Sequence, residues 1–251
     1  MRYVIKISYD GTSYAGWQRQ PNALSVQEVL ENASESALGR AVKITASGRT
    51  DAGVHAAGQV CHFDAEGVTV PPEKMPDCLN RFLPSDIRVL DGFLGADGFD
   101  SNRSAKRKTY CYSLYESARE MPLKERFAVR VDKLPSVERL QECARLLEGE
   151  HDYKAFCAAD SSVKTTVRTV YKVQVSESFS FDSRDIKIYV TGNGFLYNMV
   201  RTMVGELLDL AFEKRSKEIL LTAYQTGERA LLGKTMPAKG LTLYSVEYDS
   251  L

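Results

Sequence analysis

Ser47–Ala56, which reads Ser-Gly-Arg-Thr-Asp-Ala-Gly-Val-His-Ala, is the stretch of this 251-residue chain whose residue types and spacing could do chemistry. It lies between two strand-like runs, 42–45 and 59–63, in a glycine-containing loop that spans 47–58. Gly48 and Gly53 permit tight turns or the close approach of a ligand. Between them stands Asp51, with Arg49 two residues away. A guanidinium beside a carboxylate lowers its pKa and keeps it ionised. Such a carboxylate can serve as nucleophile or as base. The residues alone favour a plainer account, an aspartate that closes an Asx turn within its own loop.

Two other stretches resemble nucleotide-binding motifs and fail on detail. Gly192–Tyr197 follows a strand pattern and opens a helix, but the third glycine of a dinucleotide fingerprint is Tyr197. A tyrosine there would keep helix and strand apart. A loop leading to a helix N-cap is the better account. Gly227–Thr235 has five residues between its glycines where a phosphate loop has four, and it follows a helix pattern. The register of N–H groups that cradles phosphate would be lost, so Gly227 reads as a helix C-cap.

These residues need a frame. Residues 3–9 alternate as a half-buried strand, with Tyr3, Ile5, Ile7 and Tyr9 on one side. Ser25 and Glu28 form a capping-box pattern, followed by the apolar face Val26, Val29, Leu30, Ala33, Ala37 and Leu38 and the stop Gly39. A short helix is expected over 71–83 with Met75, Leu79 and Phe82 inward. A strand carries Tyr110, Tyr112 and Leu114, and a helix runs over 136–147 to Gly149. Strands follow at 166–176 and 185–191, the second with Ile186, Ile188 and Val190 on one face. Helices near 195–212 and 217–225 and a strand over 241–248 complete the series. Each half mixes helices with strands, as in antiparallel α+β layers. The glycines at 92, 95 and 98 thin the pattern before 100–106. This divides the chain into 1–105 and 106–251.

Composition narrows the classes. The chain is 43% hydrophobic and 26% charged, which excludes a disordered chain. No stretch approaches a membrane span: 195–212, the most apolar, holds Asn198, Arg201, Glu206 and Asp209. The N-terminus runs into a strand pattern without a signal-peptide core, so a cytoplasmic location is expected. The five cysteines (61, 78, 111, 143 and 157) include no CxxC pair, and His55, His62 and His151 have no joint metal spacing. Neither a disulfide framework nor a metal site is expected.

Thirty-three basic side chains balance 33 acidic ones, which argues against a globally basic nucleic-acid binder. The sum hides a reversal. Residues 60–100 carry 3 basic and 8 acidic side chains, and 101–130 carry 8 basic and 3 acidic. The basic segment also holds Tyr110, Tyr112, Tyr115 and Phe127. Basic charge among aromatics suits phosphate contact and base stacking, although a solvated, ion-paired strand and loop has the same composition.

The loop Gly48–Ala56 resembles the aspartate signature of the tRNA pseudouridine synthase A family, which it matches throughout. Further resemblances follow in order: Tyr9–Gln20, Ser25–Gln27, Lys108–Tyr112, Phe195–Arg201 and Pro237–Leu241. Departures are Asn198, where many relatives have histidine, Arg103, displaced by one position, and Met236, where alanine is common.

The resemblance implies an α+β fold of two ferredoxin-like subdomains sharing a continuous, mostly antiparallel sheet with a central cleft. It implies an isomerase that converts uridine to pseudouridine in RNA without a cofactor. The usual targets are positions 38–40 of the tRNA anticodon stem-loop, bound by a homodimer. By the same resemblance Asp51 is the catalytic carboxylate, Arg201 its ion-pair partner and Tyr110 the residue stacked on uracil. Arg49 would contact RNA and fill the space left by the flipped nucleotide, whose extrusion costs a few kcal/mol. Lys106, Arg107 and Lys108 are candidates for phosphate contact. Met199, Val200, Met203 and Val204 flank Arg201, and an arginine near an apolar face needs a partner. Trp17 reads as structural. The same chemistry on another RNA, such as ribosomal RNA, and an RNA chaperone with vestigial chemistry are the competing readings.

Overall fold

The computed structural model describes residues 1–158 and 164–249; residues 159–163, 250 and 251 lie outside the description. The chain divides into two compact units. The first, Met1–Lys108 and the segment from Thr242 onward, contains β1 (Arg2–Tyr9), α1 (Val26–Leu38), β2 (Thr45–Ala46), β3 (His55–Asp64), α2 (Met75–Leu79) and β4 (Ile87–Leu94). The second, Thr109–Leu241, holds most of β5 (Arg107–Glu116). It continues with β6 (Val129–Val131), α3 (Val137–Ala144), β7 (Gly149–Asp152), β8 (Val167–Ser180), β9 (Ser183–Gly192), α4 (Met199–Ala211) and α5 (Lys217–Thr226). The closing strand β10 (Leu241–Glu247) returns to the first unit. Both units are α+β. β10 pairs parallel with β3, with Thr242 opposite His55 and Leu243 opposite Ala56.

In the first unit the strand order is β4-β1-β3-β10, with β2 on β3. β1 pairs antiparallel with β3 and β4. Tyr3, Ile5, Ile7 and Tyr9 are buried as their alternation requires. Val4 is buried on the opposite face with Val60 and Phe99, so β1 is covered on both sides. Ser25 caps α1 through Glu28 N, and Gly39 ends it at φ 68°. Trp17 is buried and tilted against Tyr9, consistent with a structural role.

In the second unit the order is β5-β9-β8-β7, with β6 on β5. β8 and β9 form a long antiparallel hairpin that buries Ile186, Ile188 and Val190. α3 lies against β8, where the Gln141 amide bonds the backbone of Val173 and Val175. Gly227 caps α5 at φ 72°. The Asn193 side chain accepts from Thr169 N, which ties the Gly192–Tyr197 loop to β8.

Several elements differ from their sequence patterns. Over 71–83 a single turn of 3-10 helix, Pro72–Lys74, leads into α2, which ends at Leu79. Met75 and Leu79 are buried, but Phe82 is 51% exposed and Leu83 takes the inward place. Asn80 caps the helix, and its side chain bonds both backbone groups of Val89. β3 begins at His55 and not beyond Gly58, and 42–45 contributes only the short β2. β4, β6 and β7 were not legible in the sequence. β5 buries Cys111 and Tyr115 as well as Tyr110, Tyr112 and Leu114, so both of its faces are covered. The helix expected from 195 starts at Met199.

Candidate active site

The aspartate loop is built from its ends inward. At its start Ser47 N donates to Val60 O (2.8 Å). The fully buried Gln59 accepts from Ser47 Oγ and donates to Gly48 O (2.8 Å). The Lys108 ammonium donates to Ser47 O. At the crest Tyr9 Oη and Thr50 Oγ1 are hydrogen-bonded at 2.8 Å, and Trp17 N donates to Thr50 O at 3.0 Å. Val54 N donates to Asp51 O at 3.1 Å, closing a backbone turn with Gly53 at φ 77°. That third position of a turn is where a positive φ favours glycine. Gly53 N also donates to Tyr14 O (3.3 Å), which ties the turn to residues 10–17. A backbone bond closes the turn, and Asp51 is half-buried at its first position.

Residues 10–17 lie directly against this loop. A Cβ on Gly11 would stand 2.0 Å from Val54 O, and one on Gly16 would stand 2.6 Å from Thr50 O and 3.1 Å from Asp51 C. Gly16 also has φ +88°. Two glycines are therefore required where the two backbones meet. Buried His55 adds a tie, its Nδ1 accepting from Gly11 N at 3.0 Å. Many fixed contacts converge on one short turn, which is how a reacting side chain is held in a single geometry.

In the second unit Tyr110 is buried in β5, with Phe195 edge-on at 5.2 Å. Tyr112, two residues on, donates to Pro237 O (2.7 Å), and burial pushes its hydroxyl well above the ordinary tyrosine range. Gly240 leaves room for the Tyr112 ring, since a Cβ there would stand 2.6 Å from it. Tyr112 is thereby structural. Arg201, in the first turn of α4, donates through Nε to Met236 O (2.6 Å) and through Nη1 to Asn198 Oδ1 (2.8 Å). Asn198 is the N-cap at φ 65°, a conformation asparagine tolerates better than most residues. This residue, which departs from the common histidine, thus holds the arginine.

The basic candidates separate. Arg49 is exposed and makes no side-chain hydrogen bond among the described residues. Exposed Lys106 pairs with Asp249 at 2.9 Å, and Arg107 is exposed. Lys108 is half-buried with its ammonium on the aspartate loop. Asp51, Arg49 and Lys108 thus share one loop environment in the first unit. Tyr110 and Arg201 belong to the second. Residue-level reasoning missed Gln59, Tyr9 and Thr50 as supports. The only signal for the first is a polar residue inside a strand pattern.

The family model described as tRNA pseudouridine synthase matches residues 5–91 and 143–249. The chain belongs to the tRNA pseudouridine synthase family. Full-length relatives agree. The tRNA pseudouridine synthase A of Shouchella clausii is 42% identical over 248 residues, covering 98% of this chain and 93% of that protein. That of Syntrophotalea carbinolica is 42% identical over 247 residues, covering 96% and 94%. That of Bacillus subtilis is 38% identical over 253 residues, covering all of both chains. For this member of the tRNA pseudouridine synthase family, Asp51, Arg49 and Arg201 fall within the matched segments. Lys106, Arg107, Lys108 and Tyr110 fall in the stretch between them. Among the described residues no helix is long and apolar enough to cross a membrane.

Proposed function

We propose that this protein isomerises uridine to pseudouridine in the anticodon stem-loop of tRNA, at positions 38–40, and that Asp51 is the reacting carboxylate. The N1–C1′ bond breaks, the uracil turns, and a C5–C1′ bond forms. The C5 proton is released and N1 gains one, so no redox partner or group donor is needed. The observation that carries the reading is the Asp51 turn, fixed by Thr50, Gly53 and Val54 backbone bonds and by two glycine close approaches within the family signature.

The other roles follow from the family resemblance and from local structure. Arg201 keeps Asp51 ionised, and Met236 O and Asn198 Oδ1 aim its guanidinium. Tyr110 stacks on the uracil. Arg49, exposed beside Asp51, contacts RNA and occupies the space of the flipped nucleotide. Lys106, Arg107 and Lys108 contact phosphate, Lys108 while its ammonium also donates to Ser47 O. The protein works as a homodimer in the cytoplasm. The intact Asp51 turn favours catalysis over an RNA chaperone role.

Tritium release from 5-tritiated uridine in tRNA tests the chemistry. Asp51→Ala should reduce release to background while leaving tRNA binding intact; normal release would remove Asp51 from the central role. Mapping pseudouridine with and without the gene tests the target. Loss at ribosomal sites with unchanged positions 38–40 would move the reaction to another RNA.

A further inference from the structure

α4 carries Arg201 in its first turn and the acidic residue Glu206 five positions later. The segment 233–236 runs back along this helix as a strap, joined to it residue by residue. Glu206 Oε2 accepts from Gly233 N at 2.7 Å. Gly205 lets Lys234 O approach so closely that a Cβ would stand 1.9 Å from it. Thr202 and Thr235 hydroxyls meet at 3.1 Å. Met236 N donates to Arg201 O at 3.2 Å, and Arg201 Nε donates to Met236 O at 2.6 Å. The next residue, Pro237, accepts from Tyr112 Oη in β5, the strand that carries Tyr110. The strap thus reaches both the candidate arginine and the strand of the candidate tyrosine.

Glu206 is an unfavourable residue for its place. It is fully buried, its Oε1 has no hydrogen-bond partner, and its nearest cation, Arg215, stands 3.6 Å away. Burial raises its pKa above the usual carboxylate range. A half-satisfied buried acid is commonly less stable than an apolar residue of the same size. Residues that break such local rules concentrate where function requires them.

We propose that Glu206 is a positioning residue for the isomerisation, fixing the strap at Gly233 so that Met236 O meets the Arg201 guanidinium. The proposal rests on the reading of Arg201 as a catalytic group.

The test compares Glu206→Met, Glu206→Gln, Arg201→Ala and the double variant Glu206→Met/Arg201→Ala in tritium release from tRNA. Folding is monitored by circular dichroism at the assay temperature. Glu206→Met keeps the volume and removes the acceptor, and should lower kcat about tenfold with KM for tRNA unchanged. Glu206→Gln keeps an acceptor for Gly233 N and should restore kcat to within about twofold. In the double variant Glu206→Met should add no further loss. A folded Glu206→Met with kcat within about twofold of the parent, while Arg201→Ala is crippled, overturns the proposal and leaves the proposed function standing. A full additional loss in the double variant overturns it too. An undiminished Arg201→Ala removes instead the reading of Arg201 on which the proposal rests. Should Glu206→Met not fold, Thr202→Val breaks the next rung of the strap. A severalfold lower kcat would then support the proposal, and an unchanged kcat would overturn it.

Discussion

Replacing Gly16 by alanine should disable the aspartate loop while the protein stays folded. The new Cβ would stand 2.6 Å from Thr50 O, where ordinary contact begins at 3.4 Å, so the carbonyl must recede by about 0.8 Å. The atom that yields is backbone, bonded to Trp17 N and one peptide from Asp51. At φ +88° alanine also carries backbone strain of roughly 1–2 kcal/mol. Added to a small-to-large clash of roughly 1–3 kcal/mol, this stays below the roughly 5–15 kcal/mol of a typical fold. Misplacing a reacting group by about 1 Å can cost on the order of 100-fold in rate, roughly 2.7 kcal/mol of barrier. Single-turnover tritium release at saturating tRNA, with urea midpoints measured in parallel, separates the two effects. Gly16→Ala should lower the rate about 10- to 100-fold. The control is Gly39→Ala, at φ +68° with nothing within 4 Å of the new Cβ, which should lose stability but not rate. A folded Gly16→Ala that turns over within about twofold of the parent would refute the claim that the loop backbone positions the chemistry.

Three more outcomes are expected. Because its ammonium donates to Ser47 O, Lys108→Met should lower kcat more than tRNA affinity, whereas Lys106→Ala should lower affinity alone; filter binding and kinetics distinguish them. Burial raises the Glu206 pKa above 4.5, so the folded state holds this proton more tightly than the unfolded chain. Stability from Glu206 is therefore lost as pH rises from about the unfolded value through the raised folded one. Urea midpoints of Glu206→Gln relative to the parent should rise across that window, and a constant difference would contradict the sign. Finally, tRNA binding should weaken steeply with salt despite zero net charge, with Arg49→Ala reducing the log–log slope by about 1 if that side chain meets phosphate.

The elements that were legible have a period the pleat or the helix enforces. β1 alternates because the pleat turns Tyr3, Ile5, Ile7 and Tyr9 to one face, and α1 carries both caps in its sequence. Phe82 misled because a helical spacing was continued past Asn80, whose side chain bonds β4 rather than another turn. β4 and β7 escaped because short or edge strands lack a clear alternation. The site was legible only in part. Lys108 read as a basic residue in a basic run, yet its ammonium lies on the Ser47 carbonyl. Gln59 and Glu206 carried no motif, since their importance lies in partners distant along the chain.

By itself the sequence determined the α+β class, the family, and the loop that presents Asp51. These depend on local periodicity and on a contiguous signature. Only the tertiary structure decided why Gly11 and Gly16 must be glycine, why Asn198 suits its place, and what Glu206 holds. It also decided that the strand from Thr242 onward closes the first unit beside β3. The physical reason is the same in each case. Close approach, burial and strand pairing are relations between residues far apart in the chain, and they exist only once backbone and side chains have met.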